Sequence, residues 1–445
     1  MMALITRRTA LQLGASAAAL GVTGGFALAQ SNIKTADATP PKLDIEKGAS
    51  LRVLRPARFV PPDEEIFRAN CARFTKETGV EVRVDFVGWE DITQQTAVTA
   101  NTGAGPDIIL GFNEAPHIYT DKLVELSDVA EYIGKKYGGW LPLAQKYGKK
   151  HGTNNWIGLP FGASGGPLVW RKSAVNAAGY DAPPDDLDKY LDLCRKLHAA
   201  GKPPGFALGN AVGDGNGFAN WLVWSHGGFL VDEDNKVAIN RKETVEALKY
   251  LQELYKTFIP GTIAWNDISN NRAYAANEIW LTANGVSMYF ALKRDEKLRP
   301  IADDTQHSLL PKGKLNVSPM AGLTLNAMVF KHSKAQNAAK SLLSFLLEKD
   351  QYDPWLQANL GYWSQPLENY STSAVWESDP KVSLFKNTMR SNFWIGYKGP
   401  ISQASAAANA DYIMVQMCAA VASGQSTPEA AAAEAERRAR RFFRS

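Results

Sequence analysis

Few residues in this chain have types and spacing that suggest chemistry, and those few suggest holding a guest rather than converting one. Trp89, Glu90 and Asp91 follow a strand-like run, Val80 to Val87, across a Gly88 turn. Phe112, Asn113 and Glu114 follow a second apolar run, Ile108 to Leu110, which ends at Gly111. Between them lies a polar helical stretch that fades near Ala100, then a loop of breakers, Asn101 to Pro106. Strand, crossover helix and parallel strand would place both turns at the carboxyl end of one open α/β sheet, where ligands bind. An aromatic face beside carboxylates and an amide suits a polyhydroxylated ligand; equally, Trp89 could do no more than pack a helix end. Glu90, Asp91, Glu114 and Asp267 could also form a general acid/base pair of the kind that cleaves glycosides. An ionised carboxylate accepting two hydroxyl protons needs the same residues, and binding is the simpler use.

Other chemistries lack their residues. There is no HExxH, no phosphate-cradling GxxxxGK[ST] and no GxSxG. The six histidines, 117, 151, 198, 226, 307 and 332, stand apart from one another and from any metal-ligand spacing. Cys71, Cys194 and Cys418 share no CxxC spacing and read as buried thiols, with one long-range disulfide left open. Gly213 to Gly217 looks superficially like a calcium loop but has no acid at the twelfth position, so it is expected to shape a cleft edge. No metal and no cofactor is expected.

The 445 residues are ample for two domains, with 45% hydrophobic and 21% charged residues. Net charge is +4; loss of Arg7 and Arg8 with a leader would leave about +2, too little to draw nucleic acid or an anionic membrane. Twelve Trp are a surplus that either fills a core or stacks on ligands. Residues 1–29 read as a twin-arginine signal: Thr6-Arg7-Arg8, a weakly apolar Ala/Gly run from Leu13 to Leu28, and a small-x-small site at Ala27-Leu28-Ala29. That predicts export to the periplasm. Because this route often carries cofactor proteins, a redox role stays open. Residues 30–49 are polar and patternless and predict a disordered lead-in.

The remaining elements follow from periodicity. Leu51 to Leu54 predicts a first strand, with Arg55 and Arg58 just beyond it, either near a ligand or in solvent. Asp63 is the expected N-cap of a helix carrying Ile66, Phe67, Cys71 and Phe74. Gly205 to Gly209 predicts a strand of a second sheet, and Phe218 to Trp224 a helix whose start faces a cleft. Arg241 to Phe258 is amphipathic, Ile279 to Thr282 a strand.

Taken in order, GWEDITQQ…GAGPDIIL, NWIGLPFGA and WND…NNRAY…TANG resemble the extracellular solute-binding proteins of carbohydrate ABC transporters, the family that includes maltose-binding protein. The resemblance covers nearly everything after Leu51. It implies a two-lobe α/β fold of the type II periplasmic-binding class, with discontinuous lobes joined by about three crossings. These would be Trp156 to Ala163, the return at Ser318 to Leu323, and Gly361 to Pro366. Lobe 1 would comprise residues 50–160 and 320–360, lobe 2 residues 161–319 and 361–445. The ligand-binding set is then Trp89, Glu90, Asn113, Glu114, Phe161, Ser164, Trp221, Trp265, Asp267, Asn284, Ser287, Gly322 and Trp363. Arg272 would tie down a loop. The implied partners are a small sugar, oligosaccharide or polyol and the subunits of a membrane permease. The protein is expected to act as a monomer and not as an enzyme. A binder of polyamines or metal ions, with a more acidic cleft, and a periplasmic glycosidase or lyase remain as alternatives.

Overall fold

Two sheets divide the molecule. The computed structural model describes residues 29–443, so the twin-arginine pattern lies outside the described residues. The first sheet has the order β2-β1-β3-β8-β4, with β1 at Ser50–Pro56, β2 at Glu81–Val87, β3 at Ile108–Phe112, β4 at Leu159–Gly165 and β8 at Gly322–Val329. The second is β6-β5-β7, with β5 at Leu168–Arg171, β6 at Leu281–Ala283 and β7 at Thr305–Ser308. β2 and β3 both run parallel to β1, and β8 runs antiparallel to β3 and β4. The register pairs Pro56 with Val87, Phe112 with Leu325, and Gly165 with Gly322. Five strand ends therefore share one rim. The segments that follow β1, β2 and β3 leave from that rim, as the parallel topology requires.

The first helix, Pro61–Thr78, starts three residues earlier than an Asp63 N-cap would give. Val60 is its N-cap, because the two prolines sit well in a first helical turn. Asp63, freed from capping, accepts from Nη2 of buried Arg55 at both carboxylate oxygens, at 2.6 and 2.7 Å. Arg55 is thus neither solvated nor at a ligand. Gly79, at φ 77°, closes the helix in the left-handed region.

Two apolar clusters form the core, the first centred on the first sheet but reaching Val169 of β5 and Met288 and Phe290 beside the second. The first includes Leu51, Phe67, Ile109, Leu325 and Leu342; the second includes Leu168, Tyr190, Trp221, Leu248 and Val415. Three expectations are corrected. Residues 361–406 belong to the first cluster, through Trp363, Tyr370, Phe385, Trp394 and Ala406. Ser364 exchanges backbone bonds with Ala163 at 2.9 and 3.0 Å, so 361–366 joins the first sheet's edge rather than crossing. Gly205–Gly209 forms no strand, only a bridge from Pro204 to Leu281. Finally, residues 29–49 are irregular but anchored, not disordered. The Ala29 carbonyl accepts from Gln357 at 3.0 Å, Ala36 N–H bonds the Lys136 carbonyl at 2.9 Å, and Glu46 receives two N–H groups of residues 337 and 338. The three cysteines are free and buried.

Candidate functional site

The turn after β2 builds one wall. Trp89 donates its indole N–H to the Ala57 carbonyl at 2.8 Å, which ties the ring to the turn after β1. Phe59 meets it edge-on at 4.5 Å between ring centres, and Phe112 lies at 4.6 Å. Trp363 stacks behind it at 6.2 Å and 18°. Trp363 is only 1% exposed, and its N–H points to Asp63 at 3.3 Å. It therefore braces Trp89 from beneath instead of offering a face to the cleft.

The opposite wall begins at Asp267. Its carboxylate accepts the backbone N–H groups of Val212, Gly213 and Asp214 at 2.8 to 2.9 Å, satisfying the orphan donors at the start of the helix Asp214–Ser225. Burial nonetheless raises its pKa to about 6, with Glu90 adding to the rise against those three hydrogen bonds. Asp214, bonded to Asn270 at 2.9 Å, is raised further by burial and by Asp267. A Cβ on Gly213 would lie 3.1 Å from Asp267, 3.2 Å from Leu323 and 3.9 Å from Trp89. That loop of the second lobe thus reaches the first lobe's floor and aromatic wall.

Between the walls lies an open depression of about 460 Å³, lined by Phe59, Trp89 and Glu90 on one side and Asp267, Asn271, Arg272 and Ser287 on the other. A deeper void of about 40 Å³ is lined by Ser164, Asp214, Gly285 and Leu323. Ser164 Oγ stands where a Cβ on Gly285 would go, so the absence of a side chain at 285 is what lets the two lobes approach there.

Of the thirteen expected residues, the structure gathers Trp89, Glu90, Ser164, Asp267 and Ser287 around these two spaces. Asn284 stands behind Ser287, whose hydroxyl it accepts at 3.2 Å, while its own amide is held by Asn270 and Asn271. Six others are corrected. Asn113, at φ 46°, spends its side chain on the Thr324 N–H at 2.9 Å, so it locks β3 to β8. Phe161 is buried in the first cluster. Trp221 is 0% exposed, among Tyr190 and Phe218, and bonded to the Pro311 carbonyl at 2.9 Å. Trp265 packs over Gly205. Gly322 is crowded by Leu143 and Asn392. Trp363 is the brace described above. Glu114 is buried, with its Oε2 lacking a partner and its pKa pushed up to about 8 by burial.

The sequence reading missed Phe59, which lines the depression, and two tyrosines that pack behind or beside it. Tyr362 meets Phe59 at 6.4 Å and Trp363 at 4.9 Å. Tyr412 packs against both apolar clusters. No periodicity marks either tyrosine.

A family model described as bacterial extracellular solute-binding protein matches residues 69–383. A binding protein of Brucella abortus (strain 2308) is 22% identical over 301 residues, covering 66% of this chain and 70% of its own length. Among solved structures, a sugar transporter from Arthrobacter chlorophenolicus A6 with bound laminaribiose superposes with a TM-score of 0.76 at 16% identity, covering 89% of this chain and all of the other. An ABC transporter solute-binding protein from Agrobacterium radiobacter K84, in complex with ribitol, gives 0.72 at 18% identity, covering 91% and 100%.

Proposed function

The chain belongs to the bacterial extracellular solute-binding protein family, and from that premise we propose that it is the substrate-binding component of an ABC importer for a sugar, oligosaccharide or polyol. The observation that carries this reading is the depression between the lobes, with Trp89 on one wall and Asp267, Ser287 and Asn271 on the other. An indole face covers the apolar C–H face of a sugar ring, while carboxylates and hydroxyls take its polar edge. The relatives solved with laminaribiose and ribitol bind guests of this class.

The guest touches both walls only when the lobes are together, so its binding free energy shifts the population toward closure. Closure removes water and strengthens each polar contact inside. The closed pair of lobes is the form a membrane permease would recognise, and the guest is passed on unaltered. The protein works as an exported monomer, delivered to the periplasm by the twin-arginine route that residues 6–8 suggest. A thermal-shift screen of sugars, polyols, amines and metal ions on the mature chain tests the reading, since Tm rises with any guest that prefers the folded state. Stabilisation confined to metal ions, or cleavage products in the mixture, would reject it.

A further inference from the structure

A second cavity, of about 700 Å³, shares no residue with the depression between the lobes. Its walls are the turn after β3, the segment after the helix Pro142–Gly148, the chain just past β8, and the start of the helix Gln403–Ala410. Lys150, His151 and Lys331 line it, and among the described residues none of the three has an ion-pair partner. Lys331 donates to the Asp121 carbonyl at 2.9 Å, and the carboxylate of Asp121 is taken by Lys122 at 3.0 Å. The groove beside β2, of about 580 Å³, differs in this respect. Its arginines are all spent: Arg52 and Arg83 on Asp85 at 3.7 and 3.0 Å, Arg68 on Glu64 at 3.1 Å. At the helix start, Ser402 accepts the Ser405 N–H at 3.0 Å, while the N–H groups of Gln403 and Ala404 have no partner among the described residues. Open N–H groups at a helix start beside unpaired cations suit an oxyanion.

One further wall residue says which oxyanion. His117 lines the cavity yet is only 4% exposed. Its Nε2 lies 3.0 Å from the Tyr147 carbonyl, which can only accept, so Nε2 carries the hydrogen and donates it. Burial keeps the ring neutral, and His151 and Lys146 nearby disfavour a charge on it further. Nδ1 is then a lone pair, and it has no hydrogen-bond partner among the described residues. We propose that this cavity is a site for free monohydrogen phosphate, its charged oxygens held by Lys150, Lys331 and the helix start, and its P–OH donating to Nδ1 of His117. Sulfate and a dianionic phosphate ester have the same shape and charge but no proton to donate. Either would leave the buried Nδ1 facing an oxygen lone pair, and an unmade bond at a buried polar atom is costly. Ser402 also donates to Asn235 at 2.9 Å, and Lys398 pairs with Glu233 at 3.0 Å. Phosphate here would therefore join the turn after β3 to a segment fastened to the loop between Val231 and Val237, which packs in the second cluster.

The test is calorimetry on the mature chain at pH 8 and constant ionic strength, with sodium phosphate, sodium sulfate and methyl phosphate. At that pH phosphate keeps one proton and methyl phosphate none. Phosphate should bind one to one and at least ten times more tightly than the other two. The double variant Lys150→Gln with Lys331→Gln, both at exposed positions, should weaken phosphate at least tenfold. His117→Leu should bring phosphate and sulfate to within threefold of each other; if that variant does not fold, the lysine pair and the three wild-type titrations still decide. Sulfate or methyl phosphate binding as tightly as phosphate would overturn the inference. So would no phosphate binding, an unchanged phosphate affinity in the lysine pair, or a folded His117→Leu that keeps the preference. None of these results bears on the sugar or polyol reading, which the screen of guests at the other site tests separately.

Discussion

Replacing Trp89 by Ala separates the wall of the cleft from the core behind it. The ring is 7% exposed, packs on Phe59, Phe112 and Trp363, and donates one hydrogen bond to Ala57. Removing so large a buried ring should cost about 3–5 kcal/mol of stability. The stacking face it offers a sugar should be worth at least tenfold in affinity, about 1.4 kcal/mol. Trp89→Phe divides the two effects: it keeps an aromatic face and loses the N–H to Ala57, for about 1 kcal/mol of stability. Affinity by calorimetry at 15 °C, with urea unfolding alongside, reads both. The expected order of affinity is wild type, then Phe, then Ala. If Trp89→Ala stays folded and binds its guest within twofold of wild type, the indole is only a packing group and the aromatic-wall argument fails.

Trp221→Phe should lower stability by about 1 kcal/mol, through its lost bond to Pro311, and leave affinity within twofold, because the ring lies in the second core; a tenfold affinity loss would contradict its placement. Gly285→Ala should weaken binding while leaving urea unfolding nearly unchanged, since the added methyl meets Ser164 across the lobes. Asp63→Asn should destabilise by about 3–5 kcal/mol, because it strands the buried charge of Arg55. For pH, the Glu114 carboxyl rises from an ordinary 4.5 to about 8 on folding, so the native state holds the extra proton between those values. Its contribution is full below pH 4.5 and is lost as pH rises to about 8, at a slope of up to about 1.4 kcal/mol per pH unit. Urea midpoints at pH 5 and pH 8 should therefore converge in Glu114→Gln relative to wild type.

The first sheet was legible because its strands are short apolar runs between breakers, and because two parallel strands flanking a third dictate where the turns emerge. Trp89 and Glu90 could be found since they directly follow a strand end. Asp267 and Ser287 came from the motif resemblance alone. What local sequence does not carry is the direction a side chain takes and the partner that claims it. Trp221 and Phe161 have the composition of cleft residues, yet each sits on the inward face of its element. Asn113 reads as a ligand amide, but β8, arriving from more than two hundred residues away, takes it. That Tyr412 packs against both apolar clusters is likewise invisible in sequence, because the two are far apart along the chain. The lead-in misled for a related reason: its polar groups look unpartnered until Gln357, Lys136 and Asn337 are folded beside them.

Native mass spectrometry of the mature chain, incubated for hours with the guest that most raises its Tm, shows directly whether the two lobes hold a guest without altering it. A single 1:1 complex is expected, its guest released with its mass unchanged. Fragment masses, or a folded chain that retains no guest at all, would contradict it.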